Sequence, residues 1–230
     1  MLDVFREEKK YEMSLYGLEY VKQRMESCLH GDPFNGTKPY LVRSLYFDSY
    51  DNADYWDKDF GANYRKKIRL RVYSPQASSA KLELKEKTGA MQRKQSLTIS
   101  REEALEMING NYDILLDHDE ELAGFLYTKM TSELYTPRTV VEYDRVAFGT
   151  NENNIRLTID TGIRANEGDF NIFDENLQLY PVMSIDRGVL EVKYNNFLLS
   201  YIKDVIECVD SLETSVSKYM LARKIGMGGI

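Results

Sequence analysis

A chain of 230 residues with 43% hydrophobic and 12% aromatic side chains can bury a substantial core, which excludes a disordered protein. No apolar run approaches the roughly 18–20 residues that span a bilayer. The N-terminus MLDVFREEKKYEMS is charged from the start and lacks an apolar signal core, so a soluble cytoplasmic protein is expected.

The net charge of −7 argues against a polyanionic partner only until its distribution is read. Residues 64–101 hold eleven Lys/Arg and two Glu, while residues 102–135 hold nine Asp/Glu and one Lys. That segregation predicts a focused basic site inside an acidic shell.

In chain order, residues 7–13 alternate as a first strand with Glu8, Lys10 and Glu12 on one face. Leu18, Val21, Met25 and Leu29 recur at helical spacing and predict an amphipathic helix ending near His30-Gly31. The turn-rich GDPFNGTKP leads into a strand, YLVRSLYFDS, and Asp51 is expected to cap a short helix through Tyr55, Trp56 and Phe60. Trp56 is read as a packing residue. In YRKKIRLRVY, starting at Tyr64, Ile68, Leu70 and Val72 share one face and Lys67, Arg69, Arg71 and Tyr73 the other. The following KLELKEK repeats the arrangement, with Leu82 and Leu84 opposite Lys81, Glu83, Lys85 and Lys87.

Residues 92–99 predict another strand, with Arg93 and Lys94 at its start. Ser100 and Glu103 form a capping box for a helix that stops near Asn109-Gly110, and residues 117–131 predict a second, acidic helix. PRTVVEYDRVAFG and NIRLTIDTGIR predict a hairpin on which Val141, Tyr143 and Arg145 share one face, as do Arg156, Thr158 and Asp160. Residues 165–183 are irregular, with a short edge strand expected near 179–183. Gly188 introduces VLEVKYN, which points Leu190 and Val192 one way and Glu191 and Lys193 the other. Two C-terminal helices follow, over 197–209 and from near Ser215. Cys28 and Cys208 fall in helix-like patterns and are expected as buried thiols. His30 and His118 are isolated, which speaks against a histidine-based metal site or catalytic triad. With no internal repeat or linker, residues 1–230 are read as a single domain.

Lys10, Arg69, Arg71, Lys85, Lys87, Arg145, Arg156 and Lys193 all lie on strands whose opposite face is at least partly apolar. The expected fold is therefore α+β: an antiparallel eight-stranded β-barrel, with helices packed outside and the charged faces lining a tunnel. Burying one unpaired cation costs several kcal/mol, so such a lining needs an anion. Glu8, Glu83, Asp160 and Glu191 supply about half of the required counter-charge, which leaves a polyanion to supply the rest. Carboxylates without His or Cys suit Mg²⁺ or Mn²⁺. An internal salt-bridge lattice without a ligand is the alternative. Nucleic acid is not expected, because no helix-turn-helix, zinc finger or RRM aromatic pair is present and an acidic exterior repels a duplex.

EKKY at 8–11, SLYFDS at 44–49, RKKIRLRVY at 65–73, LELKEK at 82–87, YDRVAF at 143–148, RLTIDT at 156–161, LEVKY at 190–194 and SKY at 217–219 follow one another in this order. In them the chain resembles the VTC domain, the polyphosphate-polymerase domain of the CYTH-like triphosphate tunnel metalloenzyme superfamily, over about residues 5–225. The resemblance implies a basic tunnel for triphosphate or polyphosphate. Lys10, Arg69, Arg71, Lys85, Arg145 and Arg156 would bind phosphate, with Lys94 and the Tyr143 hydroxyl as further contacts. Glu191, with Glu8, would hold the metal, and Ser217 and Lys218 would close one tunnel end. Members of the superfamily often open with two alternating glutamates; the first position here is Arg6. A basic residue three before the final lysine in the eukaryotic polymerase is replaced by Ser215.

The implied activity is metal-dependent transfer of the ATP γ-phosphate to a growing polyphosphate chain, a phosphotransferase reaction with Mn²⁺ or Mg²⁺ as cofactor. A triphosphatase or polyphosphatase on the same scaffold, or a non-catalytic polyphosphate or inositol-phosphate binding module, are the alternatives. The SPX sensor and transmembrane segments of eukaryotic family subunits are missing from these residues; a membrane-protein partner that receives the polymer is conceivable, but nothing in these residues shows it.

Overall fold

The computed structural model describes residues 6–36, 38–89, 91–209 and 211–226. Its strands are β1 (Arg6–Ser14), β2 (His30–Gly31), β3 (Tyr40–Asp48), β4 (Tyr64–Val72), β5 (Ser79–Thr88), β6 (Met91–Ser100), β7 (Thr136–Gly149), β8 (Arg156–Asn166), β9 (Tyr180–Pro181), β10 (Arg187–Asn195) and β11 (Ser211–Glu213). The helices are α1 (Leu15–Glu26), α2 (Ala53–Asp59), α3 (Arg101–Ile108), α4 (Glu121–Ser132), α5 (Ser200–Glu207) and α6 (Lys218–Gly226). Two compact units are formed. The first holds the described residues of 1–41, 143–163 and 181–217, and the second those of 42–142, 164–180 and 218–230.

In the first unit the strand order is β11-β1-β10-β8-β7. Antiparallel pairing sets Lys10 opposite Glu191 and Glu8 opposite Lys193. The other face of this sheet carries Met13, Leu157, Ile159, Leu190 and Val192 into a core with Leu18, Val21 and Met25 of α1 and Ile202 and Ile206 of α5. Ser14 starts α1 by accepting a hydrogen bond from the Gly17 amide at 3.1 Å. Gly188 is required by close packing: a Cβ there would lie 2.7 Å from the Asp160 carbonyl oxygen and 2.7 Å from Leu18 Cδ1.

In the second unit the order is β7-β3-β4-β5-β6. Leu45, Ile68, Leu70, Leu82 and Leu84, all at most 1% exposed, form a core with Ala104 and Met107 of α3 and Ala123, Leu126 and Met130 of α4. Each such leucine or isoleucine contributes roughly 1.5–3 kcal/mol of burial. The capping box predicted for α3 is present: Ser100 Oγ accepts from the Glu103 amide at 3.1 Å, and the Ser100 amide donates to the Glu103 carboxylate at 2.7 Å.

The α+β class and antiparallel pairing match the expectation, but the closed eight-stranded barrel does not. Among the described residues the strand order is open, ending at β11 and at β6. Alternation fixes which way a side chain points, not whether the first and last strands meet. Two local expectations are also corrected. Cys28 and Cys208 are exposed, because both lie in the turn just past a helix end. Asp51 does not cap α2, which begins after Asn52 in left-handed conformation; the buried Asp48 carboxylate accepts from the Asp54 and Tyr55 amides at 2.9 and 3.0 Å instead. Trp56 stacks on Phe60, with centroids 5.5 Å apart, and is 39% exposed.

Candidate functional site

Two polar strand faces carry the predicted site residues, one in each unit. In the second unit, the β4–β5 register sets Arg65 opposite Lys87, Lys67 opposite Lys85, Arg69 opposite Glu83, and Arg71 opposite Lys81. Three of these four cross-strand pairs join two cations, although like charges directly opposite each other destabilise a sheet. Lys94 of β6 stands opposite Lys85 and extends the row. On the polar face of β4 and β5, Glu83 is the one carboxylate among the described residues.

Glu83 is 1% exposed and is the hub of this face. Its carboxylate accepts from Arg69 Nε at 2.8 Å and lies 2.7 Å from Arg69 Nη2, 2.6 Å from Lys94 Nζ and 3.7 Å from Arg71 Nη2. Burial works to raise its pKa, but Arg69, Arg71 and Lys94 together outweigh burial and hold it down at about 2. Arg69 Nη1 also donates to the Tyr46 hydroxyl at 2.9 Å. Burial disfavours the Tyr46 phenolate, yet Arg69, Arg71 and Lys218 leave the phenol below its usual pKa. Lys67 lies over the Tyr219 ring, 5.9 Å from its centroid, and Tyr219 stacks on Tyr46 at 5.2 Å.

A buried network supports these groups. The Tyr219 hydroxyl donates to Asp48, and burial followed by the Asp48 charge pushes the Tyr219 phenol up. On the apolar side of β4, Lys66 reaches Asp54 at 2.9 Å and Glu133 at 3.6 Å. Tyr135 donates to Asp54 at 3.0 Å. Burial pushes the Asp54 carboxyl up to about 7 against the pull of Lys66.

In the first unit the polar face is a lattice of matched charges. Lys10 Nζ lies 3.1 Å from Glu8 and 3.6 Å from Glu191, and donates to the Val216 carbonyl at 3.2 Å. Lys193 contacts Glu191 and lies 3.8 Å from Glu8. Arg145 forms a two-pronged pair with the fully buried Asp160, at 2.6 and 2.8 Å, and sits over the Tyr143 ring at 5.1 Å. Burial opposes the charged form of Arg145, but Asp160 keeps its pKa well above the usual value. Arg156, at the exposed end of β8, pairs with Asp32 at 2.7 Å.

The structure thus brings Arg69, Arg71, Lys85, Lys87 and Lys94 onto one face, and Lys10, Glu8, Glu191 and Lys193 onto another. Ser217 is buried, and Lys218 opens α6.

A sequence profile of the VTC domain matches residues 5–226. The chain belongs to the VTC domain family. No curated protein sequence matches this VTC domain. Two solved structures resemble it. A Bacillus halodurans protein described as a candidate adenylate cyclase has 12% identity and a TM-score of 0.50, covering 93% of this chain and 96% of that one. A Vibrio parahaemolyticus protein with the same description has 11% identity and a TM-score of 0.50, covering 96% and 98%. At such identity these likenesses speak to the fold alone. No helix of the described residues is long and apolar enough to cross a membrane.

The resemblance read from the sequence implies a divalent ion, and the carboxylates present decide whether one fits. Among the described residues no group of three or more His, Cys, Asp or Glu is placed to hold a metal. Mg²⁺, however, commonly takes one or two carboxylates and completes its shell with water and phosphate oxygens. Glu8 and Glu191 both approach the Lys10 ammonium, so two hard oxygen donors sit together, and an ion held by them would take that ammonium's place. The pair fits such an ion. Sequence reasoning missed Tyr46, Arg65 and the hub position of Glu83. The alternation signal contained Arg65, whereas Tyr46 reads as a core aromatic until its register opposite Arg69 is known.

Proposed function

We propose that this VTC domain binds condensed phosphate through the polar faces of its strands and extends polyphosphate at the expense of ATP. The observation that carries the reading is the register of β4 on β5, with three cation–cation pairs in one row and Glu83 as the single acid among them. Self-repulsion of that kind is relieved by a ligand with regularly repeated negative charge. Arginine forks match phosphoryl oxygens two at a time.

In the proposed reaction a terminal oxygen of the polyphosphate chain attacks the γ-phosphorus of ATP. A new P–O bond forms, the bond to the β,γ-bridging oxygen breaks, and ADP leaves with that electron pair. Phosphoryl transfer asks mainly for positioning and charge stabilisation. Arg69, Arg71, Lys85, Lys87 and Lys94 of the second unit would hold phosphate oxygens, as would Lys10, Tyr143, Arg145, Arg156 and Lys193 of the first, with Ser217 and Lys218 at the start of α6. Glu191 and Glu8 would hold Mn²⁺ or Mg²⁺, which when bound neutralises charge on phosphate oxygens. The engagement of both carboxylates by Lys10 and Lys193 favours a second reading, a polyphosphate-binding module without turnover.

Incubation with ATP and Mn²⁺ distinguishes the outcomes. Growth of a long acid-stable polymer, abolished in Glu191→Gln with tripolyphosphate binding retained, is the expected result. Release of orthophosphate alone would assign a triphosphatase. Stabilisation by polyphosphate without turnover under any divalent ion would assign a binding module.

A further inference from the structure

Glu83 holds the position on the β4–β5 face where an anionic ligand would have most to gain. Its carboxylate engages Arg69 at 2.7 and 2.8 Å and Lys94 at 2.6 Å, with Arg71 at 3.7 Å. Cation pairs flank it on both sides, Arg65–Lys87 and Lys67–Lys85 toward one end and Arg71–Lys81 toward the other. We propose that Glu83 is an internal counter-anion that sets the affinity for condensed phosphate by competing with the ligand's phosphoryl oxygens for Arg69, Arg71 and Lys94. The inference rests on the anion-binding reading above and adds how tightly that face binds.

A carboxylate and a phosphoryl group offer the guanidinium fork the same acceptor geometry, so each N–H turned toward Glu83 is withheld from a phosphate. Three cations gathered on a largely buried base would be costly to fold without an anion among them. Glu83 supplies that anion, and the ligand's net gain is reduced by the contacts it must take over. A chain lying along the row from position 65 to position 71 has about 20 Å to run, at ~3.3 Å per residue. It collects further attraction from the flanking pairs, while a single orthophosphate does not. Glu83 therefore holds affinity down, and the flanking pairs favour chains over single phosphates.

Calorimetric titration of the full chain with sodium tripolyphosphate, at fixed low salt and without divalent ions, tests this. Glu83→Gln keeps the shape and removes the charge, and it is expected to bind about tenfold more tightly than the wild type, as for an interaction change of ~1.4 kcal/mol. A residue that merely organised the arginines would give the opposite sign, so equal or weaker binding by Glu83→Gln overturns the inference while leaving the proposed function standing. Should Glu83→Gln fail to fold, Glu83→Asp retains the charge but withdraws it by one methylene. It is expected to bind more tightly by a smaller factor, and equal or weaker binding again overturns the inference. If the wild type and the variants all fail to bind tripolyphosphate, the proposed function falls and the inference with it.

Discussion

Lowering the pH measures how firmly Glu83 is held by its three cations. Its carboxyl lies at about 2 in the folded chain against an ordinary value of 4.5. At about 1.36 kcal/mol per unit this corresponds to roughly 3 kcal/mol of stability. A depressed carboxylate pKa stabilises the fold fully above the unfolded value of 4.5, and that contribution drains away as the pH falls toward 2. By pH 3 about 2 kcal/mol of it is gone. Glu83→Gln has no such group to protonate. It should start lower at pH 6, because three cations lose their partner at a cost of about 3–5 kcal/mol. It should then decline less steeply, closing the gap to the wild type by about 2 kcal/mol between pH 6 and pH 3. Urea unfolding followed by circular dichroism at pH 6, 4.5 and 3 gives both curves. Parallel decline of the two proteins would show that Glu83 is not held as its contacts indicate.

Gly188→Ala should lower the stability by about 1–3 kcal/mol, read as a drop in melting temperature, because the added Cβ would meet a carbonyl oxygen and Leu18 at 2.7 Å. Ser100→Ala removes one half of the α3 capping box and should cost about 1 kcal/mol in urea unfolding. Tyr219→Phe leaves the buried Asp48 with one donor fewer and should cost about 1–3 kcal/mol, measured the same way.

Which face each strand residue takes was legible from alternation, and the structure places Ile68, Leu70 and Leu84 in the core and Arg69, Arg71 and Glu83 on the polar side accordingly. The α3 cap was legible because Ser100 and Glu103 stand three apart next to a helical run. Register was not legible. The β5–β6 connection turns at Gly89, whose φ of 57° is left-handed, and a shift of the ladder would have paired different cations. That is why Glu83 could be counted as one neutralising acid among four but not recognised as the hub of three cations. Asp48 shows the same limit: inside SLYFDS it reads as a strand end, and only long-range packing makes it the acceptor for α2 and Tyr219. Closure of the strands depends on contacts between elements far apart in sequence, and residue patterns within a strand do not encode it.

Calorimetric titration with tripolyphosphate of the wild type and of the double variant Arg69→Gln/Arg71→Gln, each checked for its fold by circular dichroism, bears most directly on the anion-binding face. Two charge-assisted hydrogen-bonding groups at about 1.5–3 kcal/mol each correspond to a loss of about 100-fold or more. Saturable binding by the wild type with a loss of that size in the double variant is the expected result. An unchanged affinity in the double variant, or no binding by the wild type, would contradict the account.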